Sequence, residues 1–193
     1  MISGADRVVA VALLLLGHAA YGAGDPQLAG FLATLSPAPQ GPMPYVEQRM
    51  SALLAAPLEV RGDLTLGADG SIDKRVTAPA PESLRITATS LTLEKGGKRR
   101  VIKLSGDPRW RAFHAGVVGL LNRDAAALER VFAATLVESP AGWTLDLRPL
   151  KSAGRNGITL VRATGTGTRL VRLRLEQGSA EWQELDFAVA GER

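Results

Sequence analysis

Apolar side chains recur at every second position through most of this chain, and in two places the spacing changes to three and four. The alternation is clearest in Leu58-Glu59-Val60-Arg61 and Leu64-Thr65-Leu66, with Gly62-Asp63 between them as a bulge. It continues at 72–76, 84–88, 91–93 and 101–104. After a helical interval it resumes at 135–138, 143–147, 158–163, 170–176 and 185–189. Short strands and tight turns imply antiparallel pairing. Turns fall at Gly67-Ala68-Asp69-Gly70, at the charged loop Glu94-Lys95-Gly96-Gly97-Lys98-Arg99-Arg100, at Ser139-Pro140-Ala141-Gly142 and at Gln177-Gly178.

The helical spacing appears first after Asp25-Pro26, where Leu28, Phe31, Leu32 and Leu35 share one face. That helix stops in the proline-rich linker from Ser36 to Pro44, where backbone donors are missing. The spacing returns after Pro108 with Trp110, Phe113, Val117, Leu120 and Leu121. Asn122-Arg123-Asp124 then breaks the helix and caps another, predicted from Ala125 to Phe132. The order is strands, a helical hairpin, then strands. A continuous curved sheet enclosing the hairpin fits it, so the expected fold class is mainly β (α+β), with antiparallel strands.

The 193 residues suffice for one core. Arg7 followed by the uncharged run Val8–Leu16 and the small residues Ala19, Ala20 and Gly22 reads as a signal peptide, 1–22, with cleavage after Ala20 or Gly24 as alternatives. The expected division is leader 1–22, N-terminal helix and linker 23–44, and main domain 45–193. The apolar run is too short to span a bilayer, so the mature chain is expected to be soluble, in the oxidising compartment that the leader implies. With no cysteine, a disulfide framework and an N-terminal lipid anchor are both excluded. Loss of Asp6 and Arg7 with the leader leaves the net charge of +4 unchanged.

Little in the chain points to catalysis. His18 falls in the leader, so His114 is the one histidine of the mature chain, with no nucleophile elbow or second ligand spaced to join it. It reads as a surface or satisfied side chain. The carboxylates are scattered singly, and no catalytic, metal or cofactor site is expected. Gly165-Thr166-Gly167-Thr168 lacks the lysine and following helix of a phosphate loop and reads as a turn. Arg162, Arg169, Arg172 and Arg174, and separately Lys98, Arg99, Arg100 and Lys103, mark either a docking surface or a solvated exterior. Aromatics make up 5% of residues, too few to interleave with those cations for nucleic-acid stacking. Trp110, Phe113, Val117, Leu120 and Leu121 face a sheet whose inner positions include Leu64, Leu66, Leu84, Ile86, Leu91, Leu93, Trp143, Leu145 and Leu147. By periodicity alone, these form a core.

Several short stretches, in order, resemble the LolA-related family of periplasmic carriers. They are Tyr45-Val46-Glu47-Gln48-Arg49, Ala56-Pro57-Leu58, Gly62-Asp63-Leu64, Lys74-Arg75 and Pro79, then Leu104 to Pro108, Leu120-Leu121-Asn122-Arg123-Asp124, Leu128-Glu129, Phe132, and Gly142-Trp143-Thr144-Leu145 with Leu147 and Pro149. The resemblance implies a half-barrel with a helical lid, the inner residues named above lining a cavity for acyl chains. It also implies a monomer working between an inner-membrane exporter and an outer-membrane acceptor. Its cargo would be a lipidated protein or another amphiphile such as an aryl-polyene or a glycolipid. Arg49 is implied as the residue coupling the early strand to the lid, with an ordinary exposed strand position as the other reading. The competing function is a binding or assembly module with a filled core that recruits a protein partner and carries no lipid.

Overall fold

The computed structural model describes residues 19–21, 26–151, 157–178 and 180–187. The apolar run of the expected leader lies outside the described residues, as does the end of the last predicted strand, 188–189.

Helix α1 (Pro26–Thr34) buries Leu28, Phe31 and Leu32, the face its spacing predicts. Strands β2 (Met43–Met50), β3 (Leu58–Leu66), β4 (Ile72–Ala78), β5 (Glu82–Ile86), β6 (Ser90–Lys95) and β7 (Lys98–Lys103) follow as a meander. Helices α2 (Pro108–Leu121) and α3 (Ala125–Glu129) come next, then β8 (Phe132–Ser139), β9 (Gly142–Pro149), β10 (Ile158–Thr166), β11 (Arg169–Gln177) and β12 (Glu181–Asp186). All eleven pair antiparallel in one curled sheet. A short strand at Ala19–Tyr21, β1, adds to the β8 edge. Cleavage at the expected site would remove β1 and leave β8 as that edge.

The strand order is β1-β8-β9-β10-β11-β12-β2-β3-β4-β5-β6-β7. The sheet is single, as expected, but it is not joined across the helical insertion. Strands β7 and β8, which flank the helices in sequence, are at opposite ends of the sheet, and β12 pairing with β2 supplies the continuity. The insertion is where the sheet is open.

Three local readings are corrected. Phe132 opens β8 instead of closing α3, because α3 ends at Glu129 and the chain is already extended at Phe132. Strand β2 begins inside the proline linker, at Met43; β12 reaches only as far as Val46, so Pro44 has a neighbouring strand on one side alone, as an edge position does. The charged loop between β6 and β7 shrinks to a tight turn at Gly96-Gly97, both at positive φ, with the flanking cations on strands. The bulge predicted at Gly62 is present as a register shift between Arg61 and Gly62.

The core fills one half of the concave face. Leu145, Leu147, Leu173 and Leu175 of β9 and β11 are buried, with Phe132, Ala134, Val161 and Ala163 on neighbouring strands. Helix α1 packs here, Phe31 meeting Trp143 edge-on at 5.2 Å between ring centroids. Each fully buried leucine contributes roughly 1.5–3 kcal/mol relative to exposure, so this half is the rigid frame.

Candidate functional site

Along β2 the inward positions are Tyr45, Glu47 and Arg49. The middle one places a carboxylate with no solvent exposure inside a β-sheet. A charge at that depth requires partners. Lys74 Nζ on β4 donates to Glu47 Oε2 at 2.6 Å, and Arg49 donates from Nε at 3.3 Å and Nη2 at 3.2 Å. Strand β3 runs between β2 and β4, and the residue it places opposite Tyr45 is Gly62. A Cβ there would collide with the Arg75 carbonyl oxygen and come within 2.9 Å of the Tyr45 hydroxyl. The absence of a side chain keeps the space beside the Tyr45 ring clear, and Lys74 Nζ sits 5.0 Å from that ring's centroid. Burial pushes the Lys74 ammonium below the usual lysine range while Glu47 pulls it up; burial pushes the Tyr45 phenol up, with Glu47 adding to the effect.

Arg49 carries this cluster into an open cleft of about 420 Å³. Its apolar walls are Leu84 and Ile86 of β5, Leu91 of β6, Leu104, and Trp110 and Phe113 of α2; its polar lining is Arg49, Lys74, Asp107, Gln177 and Gln183. Trp110 stacks on Phe113 at 5.1 Å and donates from Nε1 to the Thr87 carbonyl at 2.9 Å. One turn further along α2, His114 Nε2 donates to the Gly70 carbonyl at 3.1 Å. These two bonds fasten the helix to the β5–β6 and β3–β4 turns. Burial lowers the His114 pKa below its ordinary value, partly offset by the Gly70 bond, so the ring is neutral at pH 7. His114 is thus a satisfied side chain.

The other end of α2 borders a second cavity, about 330 Å³, lined by Leu35, the 36–39 segment, Pro42–Pro44, Leu120, Leu121, Arg123, Arg169, Leu170 and Phe187. Arg123, left-handed at φ 59, ends the helix and donates to the Leu35 carbonyl at 3.1 Å. Asp124 then caps α3 by accepting from the Ala127 amide at 2.9 Å.

The lining residues expected from sequence therefore divide. Leu84, Ile86, Leu91, Trp110 and Phe113 meet at the first cleft, and Leu120 and Leu121 at the second; of these, Ile86, Leu120 and Leu121 are also buried against the core. Leu64, Val117, Trp143, Leu145 and Leu147 are buried in the packed core, and Leu66 is partly buried against it. Leu93 is partly exposed on β6, opposite Leu84. Among the described residues, the hydrogen bonds of Arg49 go to Glu47. Sequence reasoning passed over Glu47 and Lys74 as site residues; the available signal was a carboxylate two positions from Tyr45, on the inward phase of β2. No group of metal-ligating side chains occurs among the described residues.

An open curled sheet covered by a helix, with an apolar cleft between them, places this chain among half-barrels with a helical lid. It belongs to the LolA-like family: the family model described as "Outer membrane lipoprotein carrier protein LolA-like" matches residues 27–188. Similar solved structures include LprF from Mycobacterium bovis, at 14% identity and a TM-score of 0.33, covering 86% of this chain and 94% of that one. Another is a LolA superfamily protein from Nitrosomonas europaea, at 14% identity and a TM-score of 0.39, covering 83% and 90% respectively. No curated protein matches the chain.

Glu47→Leu leaves Lys74 without its carboxylate and is expected to cost roughly 3–5 kcal/mol in urea unfolding; the double variant Glu47→Leu/Lys74→Met recovers most of that. A double variant as unstable as the single one contradicts the pairing. His114, with its folded pKa below the unfolded 6.5, contributes stability that is fully present above that value and lost as the pH falls through it toward the folded pKa. The stability advantage of wild type over His114→Gln should shrink between about pH 7.5 and 5, and a constant difference contradicts the latch.

Proposed function

We propose that this protein is a periplasmic carrier that shelters the acyl chains of a lipidated protein or other amphiphile beneath α2 and moves it between membranes. The observation that carries this reading is the unfilled cleft. In a domain whose other half is packed with leucine, the space under Trp110 and Phe113 is open and walled by Leu84, Ile86 and Leu91.

An acyl chain entering the cleft gains about 0.8 kcal/mol for each methylene removed from water. Against that stand the two hydrogen bonds that fasten α2 and the stacking of Trp110 on Phe113. Lost hydrogen bonds of this kind cost about 1 kcal/mol each, so a few buried methylenes suffice to displace the N-terminal part of α2 around Trp110 and Phe113, while Val117, Leu120 and Leu121 keep its other end packed on the core. Helix and cargo compete for the same walls, which gives a carrier that holds its load and still releases it. Arg49, at the floor and bonded to Glu47, is placed to sense the contents of the cleft, which keeps it the candidate for coupling between sheet and lid. No helix among the described residues is long and apolar enough to cross a membrane. In this reading the protein diffuses between an inner-membrane donor and an outer-membrane acceptor, and it performs no catalysis.

The test is native mass spectrometry with lipid extraction on protein exported to the periplasm and purified without detergent. Wild type is expected to carry acyl lipid, and Ile86→Trp, which fills the cleft, to lose most of it while remaining folded by circular dichroism. A wild type that stays empty after incubation with acylated ligands, or an Ile86→Trp variant that loads normally, contradicts the reading.

A further inference from the structure

Two basic clusters stand out in the sequence, and the structure separates them. On β10 and β11, Arg162 pairs with Asp146 at 2.6 Å, Arg172 with Asp186 at 3.0 Å, and Arg174 with Glu176 at 2.9 Å. Those three are locally neutralised, and Arg169, the fourth of the group, is exposed with no ion pair among the described residues. The β6–β7 hairpin differs: Glu82 takes Lys95 and Glu94 takes Arg99, while Lys98, Arg100 and Lys103 are exposed with no ion pair among the described residues. Residues 94–104 hold five basic side chains and one acidic, leaving eighteen of each sign in the rest of the chain. The whole net charge of +4 therefore resides in this one hairpin.

Strand β7 is a free end of the sheet, and Val101 on it is 56% exposed. In register, Arg100 lies opposite Leu93 and Ile102 opposite Leu91, so Arg100 and Ile102 share the concave face with the apolar wall of the cleft. Cations at the rim lead directly onto leucine. An anionic headgroup held at Arg100 would place its acyl chain along Leu93 and Leu91, toward Trp110.

We propose that the β6–β7 edge is a membrane-docking surface that binds the anionic headgroups of a lipid bilayer and sets the mouth of the cleft against the acyl region. A protein strand adding to the β7 edge is the competing occupant. Adjacent like charges disfavour such pairing, as basic side chains on edge strands generally do. The cations also flank the strand on both faces, which suits a plane of headgroups better than a single added strand. Binding of this kind weakens with salt, because the charges are exposed.

The surface serves the carrier reading but is tested without cargo, so either can fail alone. The exported chain, free of its leader, is sedimented with vesicles of phosphatidylglycerol and phosphatidylcholine, and with phosphatidylcholine alone. Wild type is expected to bind only the anionic vesicles, less so at high salt. At roughly 1 kcal/mol per surface cation, Lys98→Gln/Arg100→Gln/Lys103→Gln should lower partitioning about a hundredfold. Arg61→Gln/Arg85→Gln/Arg172→Gln, which removes the same charge from paired side chains, should lower it far less. Equal losses in the two triple variants would reduce the effect to net charge and overturn the proposal. So would equal binding to both vesicle types, or failure to bind vesicles together with capture of an acidic strand peptide at β7.

Discussion

The ladder of hydrogen bonds that runs unbroken from β8 through β12 and β2 to β7 stops where α2 and α3 enter, and the concave face must be covered there by something other than a strand. A helix can cover an apolar face, but its contacts are side chain to side chain and carry no obligatory backbone pairing. The cover over this sheet is therefore held by apolar packing, with Val117, Leu120 and Leu121 buried, and by a few specific bonds: Trp110 to Thr87, His114 to Gly70, and Arg123 to Leu35. Removing them exposes no strand ladder. The cleft lies beneath this cover, at the face that no strand closes.

The interior is divided accordingly. Where α1, β9, β10 and β11 meet, leucines and Phe132 pack to exclusion of solvent, and this half behaves as a frame. Where α2 faces β5 and β6, the walls are apolar but unfilled, and behind them lies the ionic cluster of Glu47, Lys74 and Arg49. A buried ion pair contributes little net stability compared with hydrocarbon, but it punishes rearrangement strongly. Here it holds β2 and β4 in register across Gly62 beneath the region where the helix is expected to move.

Much of this was legible in the sequence. Alternation gave the strands, spacing of three and four gave α1 and α2, and Gly62 announced its bulge, because each depends on local periodicity. The family resemblance, carried by ordered short stretches from Tyr45 to Pro149, agrees with the family match and with the half-barrel. What stayed illegible depends on which strands become neighbours. Nothing local says that β12 pairs with β2, that Lys74 reaches Glu47 over an intervening strand, or that Leu145 and Leu147 pack in the filled half while Leu84 and Leu91 face open space. The same holds for the cations: Arg172 and Lys98 look alike in sequence, and only the position of Asp186 distinguishes them.

The central claim is that α2 moves against a fixed sheet when cargo enters. Because the chain has no cysteine, Arg75→Cys and Arg111→Cys introduce two unique exposed sites, one on the outer face of β4 and one on α2. Spin labels at these positions report their separation by double electron–electron resonance. The account predicts a narrow distance distribution in the empty protein that shifts to longer distances on loading with acyl lipid. An unchanged distribution in protein shown to be loaded would contradict it.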